Sequence, residues 1–382
     1  MGDNSRRYFL KNSILSATGL GLLPFFAKAN LVHNSNIEIP KLDRELIKSK
    51  QLDFHLHLVP DIIYKVDDPG GRNTSSFLFD IAVICSDNSK LTPISGVLKL
   101  SSAGFIVEQQ NWESEMLAKI MKVSYRIVQE TTSIVSPNRL FTLPESFDLR
   151  FYFRHPKVLA IDSAEVQLTV ADPKGRQATQ RLKIPIQYYT QKTPLNIPFQ
   201  GLGVVGQDWI TNGGHGGWWN QFALDLRGLD QNYAEQLNNA GENASDPGWN
   251  REILSPAAGT IVYVRNDVPD NPQPGEPDLK AIARLPEPAM TYAGNCVIID
   301  HSNSEYSVMM HMRQGSVTVK KGQQIAAGQV IGRLGNSGDA FGPHLHYQLQ
   351  TGPKLFIDQT LPFKFQNIDE PQLSRGALFS EK

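Results

Sequence analysis

Short apolar runs, and runs in which apolar residues recur at every second position, dominate the chain from about residue 51 onward. Four such runs in the N-terminal half cover 77–85, 94–100, 147–153 and 166–170. Because successive side chains of a strand point to opposite faces, this alternation predicts half-buried β-strands. An Asp-Pro-Lys-Gly turn at 172–175 leads into a further run at 181–188, which predicts a hairpin. We therefore expect an antiparallel β-sandwich within residues 30–189.

One segment of that half follows the period of a helix instead of a strand. Within residues 113–121, four apolar side chains fall on a common helical face, those of Met116, Leu117, Ile120 and Met121. This spacing predicts a short amphipathic helix among the strands.

Composition divides the rest of the chain into a linker, a second domain and a tail. Residues 190–200 contain two prolines and little periodicity, which predicts a linker before a second strand-rich domain at 201–371 and a tail at 372–382. Two polar insertions, 231–250 and 267–288, predict surface loops in that domain. Its candidate strands lie at 260–265, 296–300, 306–312 and 345–349. The fold class predicted for the whole chain is all-β.

The first 29 residues have the order of an export signal. Arg6 and Arg7 precede an apolar run at 14–26, and a small-x-small cleavage pattern follows at 27–29. This order predicts a twin-arginine signal peptide, read by the twin-arginine export machinery. The apolar run is shorter than the roughly 20 residues of a membrane-spanning helix, and no cysteine follows it to carry a lipid. We expect export to the periplasm or the cell exterior, without a stable membrane anchor after cleavage.

Charge and cysteine content exclude several classes of function. Lys and Arg total 37 against 38 for Asp and Glu, so the net charge is -1. No basic excess exists to neutralise nucleic-acid phosphates or an anionic membrane. Two cysteines in 382 residues exclude a disulfide scaffold and a cysteine-rich zinc site. We expect both, Cys85 and Cys296, to be buried thiols, with a disulfide between them as the less favoured alternative.

The candidate chemistry lies in the histidines, of which there are nine. Two pairs have the His-x-His spacing, one at 55 and 57 and the other at 344 and 346. In the second pair a loop gives way to a strand, so the two imidazoles should share one face while Leu345 faces the core. That placement suits a metal ligand beside a proton-transfer group, although two surface histidines on an exposed strand would have the same spacing.

Three further residues of the second domain are candidates for the same site. His215 lies in a glycine-rich loop at 212–217, and Asp225 follows ten residues later in a strand-like segment. His311 lies within an apolar strand. Taken singly, Asp225 is also compatible with a solvated carboxylate and His311 with a hydrogen-bonded core residue.

Together with these residues, several ordered motifs of the second domain resemble the lysostaphin-type, or LytM-like, zinc endopeptidases that hydrolyse peptidoglycan. The resemblance covers about 201–352, and nothing comparable identifies the first domain. It implies an antiparallel β-sheet peptidase fold of the duplicated hybrid motif type. The matching segments, besides those around His215, Asp225 and His311, lie at 255–262, 294–295, 319–322, 328–332, 335–338 and 343–346.

The resemblance also implies a role for each candidate residue. His215, Asp225 and His346 become the ligands of one zinc ion per chain, and His311 and His344 become the catalytic histidines. One departure is the spacing from His215 to Asp225, in which nine residues intervene where the common family pattern is His-x-x-x-Asp. Some family members have the longer form, and Asp230 is the alternative carboxylate.

Such a ligand set leaves the fourth position of a tetrahedral zinc open, as in catalytic sites. The chain has no His-Glu-x-x-His element to supply a glutamate base, so His311 and His344 are the candidates for acid–base roles. The reaction implied is hydrolysis of a peptide bond, in peptidoglycan cross-links or stem peptides. The N-terminal domain is open to three roles: positioning the wall substrate, contacting a partner, or covering the cleft.

Two other functions remain as alternatives. Asp53, His55 and His57 match the first metal motif of the amidohydrolases, but the regular strand–helix alternation of their barrel is missing. The second alternative is a non-catalytic cell-wall-binding or activator module, as in relatives of these peptidases that have lost ligands. Zinc content and turnover measured together would distinguish that module from an enzyme.

Overall fold

The computed structural model describes residues 52–69, 72–85, 90–129, 138–208, 215, 219–233, 241–275, 277–282, 284–285, 291–369 and 373–380. The predicted signal peptide lies outside these residues. So do His33, one of the nine histidines, and Trp218, which lies between His215 and Asp225 in the sequence. Strands dominate the described part of the chain and pair almost entirely antiparallel, which confirms the all-β expectation. None of the helices described is long and apolar enough to cross a membrane.

The N-terminal region contains two five-stranded sheets and one of the short helices. One sheet has the order β1-β4-β8-β7 with β3 beside β4, and the other has the order β2-β10-β9-β5-β6. The strands are β1 Phe54–Val59, β2 Ile63–Tyr64, β3 Val66–Asp67, β4 Thr74–Cys85, β5 Thr92–Ser102, β6 Phe105–Glu113, β7 Met121–Gln129, β8 Asn138–Pro156, β9 Ser163–Ala171 and β10 Gln177–Gln187, with helix α1 at Ser114–Ile120.

Alternation explains how these two sheets form one core. The inward side chains of β4, including Phe77 and Phe79, share an apolar cluster with Leu98 and Leu100 of β5. Leu117 of α1 belongs to the same cluster and Ile120 packs against it, so the predicted helix is confirmed, whereas Met116 of the predicted face is 49% exposed. The predicted hairpin joins β9 to β10.

The C-terminal region is built around one nine-stranded sheet. Its order is β17-β14-β15-β16-β19-β12-β11-β21, with β20 beside β19, and β13 pairs separately with β18. The strands are β11 Gly203–Gln207, β12 Leu224–Gly228, β13 Glu252–Leu254, β14 Gly259–Arg265, β15 Asn295–Asp300, β16 Tyr306–Met312, β17 Gln324–Ile325, β18 Val330–Arg333, β19 Leu345–Gln350, β20 Thr360–Leu361 and β21 Leu378–Phe379, with helix α2 at Leu279–Ile282. Cys85 and Cys296 are both buried, and neither forms a disulfide, as expected.

The predicted linker packs against the second region along part of its length. Leu195, Ile197 and Phe199 are fully buried in the core cluster of the nine-stranded sheet. Leu195 pairs with Phe365, and Phe199 pairs with Ile253. The domain boundaries themselves stay a prediction.

The buried carboxylate of Glu305, in the turn between β15 and β16, forms hydrogen bonds with residues at the start of this segment. Glu305 accepts hydrogen bonds from the Tyr189 hydroxyl at 2.6 Å and from the backbone N–H groups of Lys192 and Thr193, each at 2.7 Å. The apolar contact continues beside it, because Tyr64 and Leu78 of the N-terminal sheets join the core cluster of the C-terminal sheet. The two regions therefore meet through both polar and apolar contacts.

Candidate metal centre

Sheet pairing places Asp225 and His346 directly opposite each other. The register of β12 against β19 aligns these two residues, and that of β16 against β19 aligns Met310 with His346. Residues far apart in the sequence thus meet because their strands are antiparallel neighbours. Both side chains are buried.

His215 reaches the same point from a loop. Its Nδ1 atom lies 2.9 Å from the carbonyl oxygen of Ala223, and its Nε2 atom lies 3.3 Å from Oδ1 of Asp225. Because a carbonyl oxygen only accepts hydrogen bonds, Nδ1 carries the proton in the neutral ring. The lone pair on Nε2 then faces Asp225.

His346 approaches the same carboxylate oxygen through its other ring nitrogen. Its Nδ1 atom lies 3.1 Å from Oδ1 of Asp225, and its Nε2 atom lies 3.0 Å from Oε1 of Gln348. The ring of His346 stands nearly perpendicular to that of His215, with 4.9 Å between the centroids.

These three residues lie close enough together to hold a metal ion. One ligand atom from each of His215, Asp225 and His346 lies within 4.8 Å of the other two. Zinc bonds of 2.0–2.1 Å at tetrahedral angles separate ligand atoms by about 3.3 Å, and the distances of 3.3 Å and 3.1 Å to Asp225 match this value. Asp230 is not in this group, and its carboxylate accepts instead from the backbone N–H of Asn232.

His344 and His311 lie beside this group as a second pair of imidazoles. Their ring centroids are 4.7 Å apart, and Nε2 of His344 lies 3.6 Å from Oδ1 of Asp225. Nδ1 of His344 donates to the carbonyl of Gly342, and Nδ1 of His311 donates to that of Ser337, both at 2.8 Å. In each neutral ring the unprotonated atom is therefore Nε2.

A β-bulge directs His311 toward the site. The register of β15 against β16 shifts between Asn295 and Val297, and His311 falls in this irregularity with a φ of 63°. A bulge adds one residue to a strand and redirects its side chain. This explains why a histidine in an apolar strand lies near the candidate metal ligands.

Burial and neighbouring charges set the protonation of these groups. Burial disfavours the charged form of His215, but Asp225 outweighs it and raises the pKa of His215. For Asp225, burial is likewise opposed by His215 and His344, which hold its pKa well below the usual value. Burial lowers the pKa of His344, and burial together with nearby imidazoles lowers that of His311 further. Both remain neutral at neutral pH and are able to accept a proton.

The predicted loop at 267–288 is anchored to the segment that supports His311, one of the two candidate catalytic histidines. Asn271 donates to the carbonyls of Gly338 and Ala340 at 3.1 Å and 3.0 Å, and Asp270 accepts from the backbone N–H of Asn336 at 2.8 Å. Residue 337 of the same segment supplies the acceptor for His311. The insertion thus contributes to the position of a catalytic candidate.

The histidines of the alternative amidohydrolase motif lie on β1, in the N-terminal sheets. The rings of His55 and His57 are 6.4 Å apart, and His55 lies 3.8 Å from Asp53. These residues do not belong to the candidate metal-binding group found among the described residues.

Sequence reasoning missed three polar residues at the site. Gln348 and Gln350 lie on the same face of β19 as His346, and alternation from that histidine would have found them. Asp339 was also missed; burial, with a smaller contribution from Asp225, raises its pKa to about 6.

Comparison with known proteins matches part of the C-terminal region. The profile of the family described as "Peptidase family M23" matches residues 243–356. That range contains His311, His344 and His346, whereas His215 and Asp225 precede it.

Curated relatives match over short segments. "Peptidoglycan DD-endopeptidase ShyA" of Vibrio cholerae is 48% identical over 58 residues, 15% of this chain and 13% of ShyA. An "Uncharacterized metalloprotease" of Buchnera aphidicola is 35% identical over 69 residues, 18% of each chain. The matches thus span less than a fifth of either relative.

Solved structures are similar at a lower level. A zinc-containing peptidase from Vibrio cholerae is 14% identical with a TM-score of 0.25, covering 79% of this chain and 83% of that one. The catalytic domain of lysostaphin from Staphylococcus simulans is 18% identical with a TM-score of 0.24, covering 42% and 88%. At the level of sequence, residues 243–356 of the C-terminal region are similar to peptidase family M23.

Proposed function

We propose that this protein is an exported, zinc-dependent endopeptidase that hydrolyses peptide bonds in the cross-links or stem peptides of peptidoglycan. The observation that carries the proposal is the convergence of His215, Asp225 and His346 at the spacing of a tetrahedral cation, beside His311 and His344. The family M23 match and the names of the curated relatives support the substrate class.

The donor set fits zinc. Nε2 of His215, Nδ1 of His346 and a carboxylate oxygen of Asp225 are borderline and hard ligands in the number that a catalytic zinc site uses. A zinc ion bound there would supply Lewis-acid polarisation of the scissile carbonyl. Burial of all three residues makes that polarisation more effective, because electrostatic interactions are weakly screened away from solvent.

The remaining chemistry falls to the paired histidines. Each presents an unprotonated Nε2 atom, because its Nδ1 proton is engaged by a backbone carbonyl. In the proposed reaction one of these nitrogens, on His311 or His344, accepts a proton from the attacking water. The proton taken up at that Nε2 is then delivered to the departing amine, by the same imidazole or by way of the other, which in its protonated form also steadies the developing charge. Acid–base groups positioned in this way contribute roughly 10²–10⁴-fold to a rate.

A digestion assay tests the proposal directly. Purified protein, freed of residues 1–29, is incubated with purified peptidoglycan, and mass spectrometry identifies the bond broken in the released fragments. We expect peptide-bond cleavage that a chelator abolishes and added zinc restores. Full activity after thorough metal removal would refute the zinc dependence, and zinc binding without cleavage would favour the wall-binding module.

Export is tested separately from catalysis. The proposal predicts that the chain leaves the cytoplasm through the twin-arginine machinery, because Arg6 and Arg7 precede the apolar run of the leader. Replacing both arginines by lysine should retain the protein in the cytoplasm, as shown by fractionation. Unchanged export of that variant would contradict this route.

A further inference from the structure

Three alternate positions on one face of β19 form a buried row of polar side chains. His346, Gln348 and Gln350 alternate along the strand and so share one face. Their exposed fractions are 7%, 1% and 0%. Burying two amides without hydrogen-bond partners would cost free energy, so the bonds that each atom makes carry information about the row.

Hydrogen bonds connect the row from end to end. Nε2 of His346 lies 3.0 Å from Oε1 of Gln348, and Nε2 of Gln348 lies 2.6 Å from Oε1 of Gln350. Nε2 of Gln350 lies 2.6 Å from the carbonyl oxygen of Gly352, where the row ends. Nε2 of Gln348 also lies 3.4 Å from the carbonyl oxygen of Trp219.

The chemistry of the end group fixes the direction of every bond. The carbonyl of Gly352 only accepts hydrogen bonds, so Gln350 must turn its NH₂ group toward it. The oxygen of Gln350 then faces Gln348, which must present its own NH₂ group there. The oxygen of Gln348 consequently faces His346. A reversed row would set the amide oxygen of Gln350 against the carbonyl of Gly352 and leave both without a donor.

The Trp219 carbonyl supports the same direction independently. It too only accepts, and it lies on the side of Gln348 that carries the NH₂ group. Two backbone carbonyls from separate segments therefore orient the amide of Gln348. Because a backbone carbonyl can only accept a hydrogen bond, rotating the side chains cannot reverse this orientation.

The geometry points to Gln348 and Gln350 as positioning residues that hold His346 with its proton on Nε2 and thereby present Nδ1 to the cation. An amide oxygen cannot donate, so the nitrogen facing it must carry the hydrogen. The lone pair is then on Nδ1, the atom that lies 3.1 Å from Oδ1 of Asp225. This inference rests on the zinc site of the proposed function and is independent of peptide-bond hydrolysis.

Zinc affinity of the full chain tests the row, measured by competition with a chromophoric chelator. Gln348→Met keeps side-chain length but removes the acceptor for Nε2, and we expect affinity to fall about 10–100-fold, as for other outer partners of metal-bound histidines. Gln350→Met should cost less, because the Trp219 carbonyl still orients Gln348. The matched control is Gln366→Met, an exposed amide outside the row, which should leave affinity unchanged.

A spectroscopic measurement separates positioning from a general packing role. In the zinc-loaded wild type, the ¹⁵N–¹H signal of His346 Nε2 should persist against solvent exchange, because its proton is hydrogen-bonded. In Gln348→Met that signal should broaden or disappear. If Gln348→Met fails to fold, the same two measurements on Gln348→Leu, which also removes the acceptor for Nε2, decide.

The outcomes distinguish this inference from the proposed function. If a Gln348 variant keeps its zinc affinity within about twofold and also keeps the Nε2–H signal, the inference is overturned, even if the protein digests peptidoglycan. Loss of affinity and signal would support it, even if no peptidoglycan is cleaved. A wild-type chain that binds no zinc would overturn both.

Discussion

Separate replacement of His344 and His346 should divide metal binding from turnover. His346→Ala removes one of three candidate ligand side chains, whereas His344→Ala removes an imidazole that lies outside the group. The two histidines differ little in their distance to Asp225: Nδ1 of His346 lies 3.1 Å from Oδ1, and Nε2 of His344 lies 3.6 Å from the same oxygen. Ring positions support the distinction: His346 packs against His215, and His344 against His311.

The expected magnitudes are different in kind. Loss of an outer partner already costs 10–100-fold in metal affinity, so loss of a ligand should cost at least about 100-fold, or about 2.7 kcal/mol. His344→Ala should change zinc affinity by less than about threefold. Its turnover should fall about 10²–10⁴-fold, equivalent to about 3–5 kcal/mol on the activation barrier.

The assay combines metal analysis with digestion. Zinc per chain is measured by mass spectrometry after gel filtration, zinc affinity by chelator competition, and turnover from peptidoglycan fragments released per minute. His57→Ala is the matched control, since it removes one member of the other His-x-His pair, in the N-terminal sheets. Equal loss of zinc in the 344 and 346 variants would refute the assignment within the pair.

Three further predictions concern metal, backbone and pH. Zinc at 1,000 times its dissociation constant should stabilise the fold by about 4 kcal/mol, so a chelator should lower Tm and excess zinc restore it; a Tm indifferent to zinc would contradict this. Gly294→Ala should lower the free energy of unfolding by about 1–2 kcal/mol, because alanine is strained in the left-handed conformation of this residue. The added Cβ would also collide with the Ser337 carbonyl that accepts a hydrogen bond from His311, so turnover should fall at least about tenfold. Gly315→Ala has a similar φ but open space, so in urea unfolding and digestion assays it should show the strain alone. Burial acts to raise the pKa of Glu305, but the hydrogen bonds that its carboxylate accepts outweigh burial and lower the pKa. The ionised carboxylate therefore stabilises the fold above about pH 4.5, and this stabilisation is lost as the pH falls through the folded-state pKa. Urea unfolding of Glu305→Gln should show a deficit of about 1–3 kcal/mol at pH 7 that narrows at pH 3.5, and an equal deficit at both would refute this.

Local pattern was sufficient to predict many of the elements. The alternation at 345–349 corresponds to β19, and the helical spacing at 113–121 corresponds to α1. These predictions succeeded because side-chain period reflects backbone geometry within a few residues. The expectation that positions 344 and 346 point to one site relied on the same period, and both imidazoles approach Asp225.

The position of His311 depended on a feature that pattern does not reveal. Its strand reads as continuous and apolar, yet the bulge opposite 295–297 places its imidazole beside that of His344. A bulge depends on the register with the neighbouring strand, which a single run of residues does not specify. For the same reason, the sequence did not predict the contact made by the insertion at 267–288, because Asn271 donates hydrogen bonds to carbonyls nearly seventy residues away.

The sequence by itself determined which residue types were available for a metal and proton-transfer site and, through strand period, that positions 344 and 346 share a face. Tertiary structure alone decided that Asp225, rather than Asp230, meets His215 and His346, because that choice follows from the pairing of β12 with β19. It also decided the direction of the amide row on β19, which is set by carbonyls of Gly352 and Trp219. The physical reason is that local sequence fixes side-chain period, whereas the meeting of distant groups depends on strand order and register.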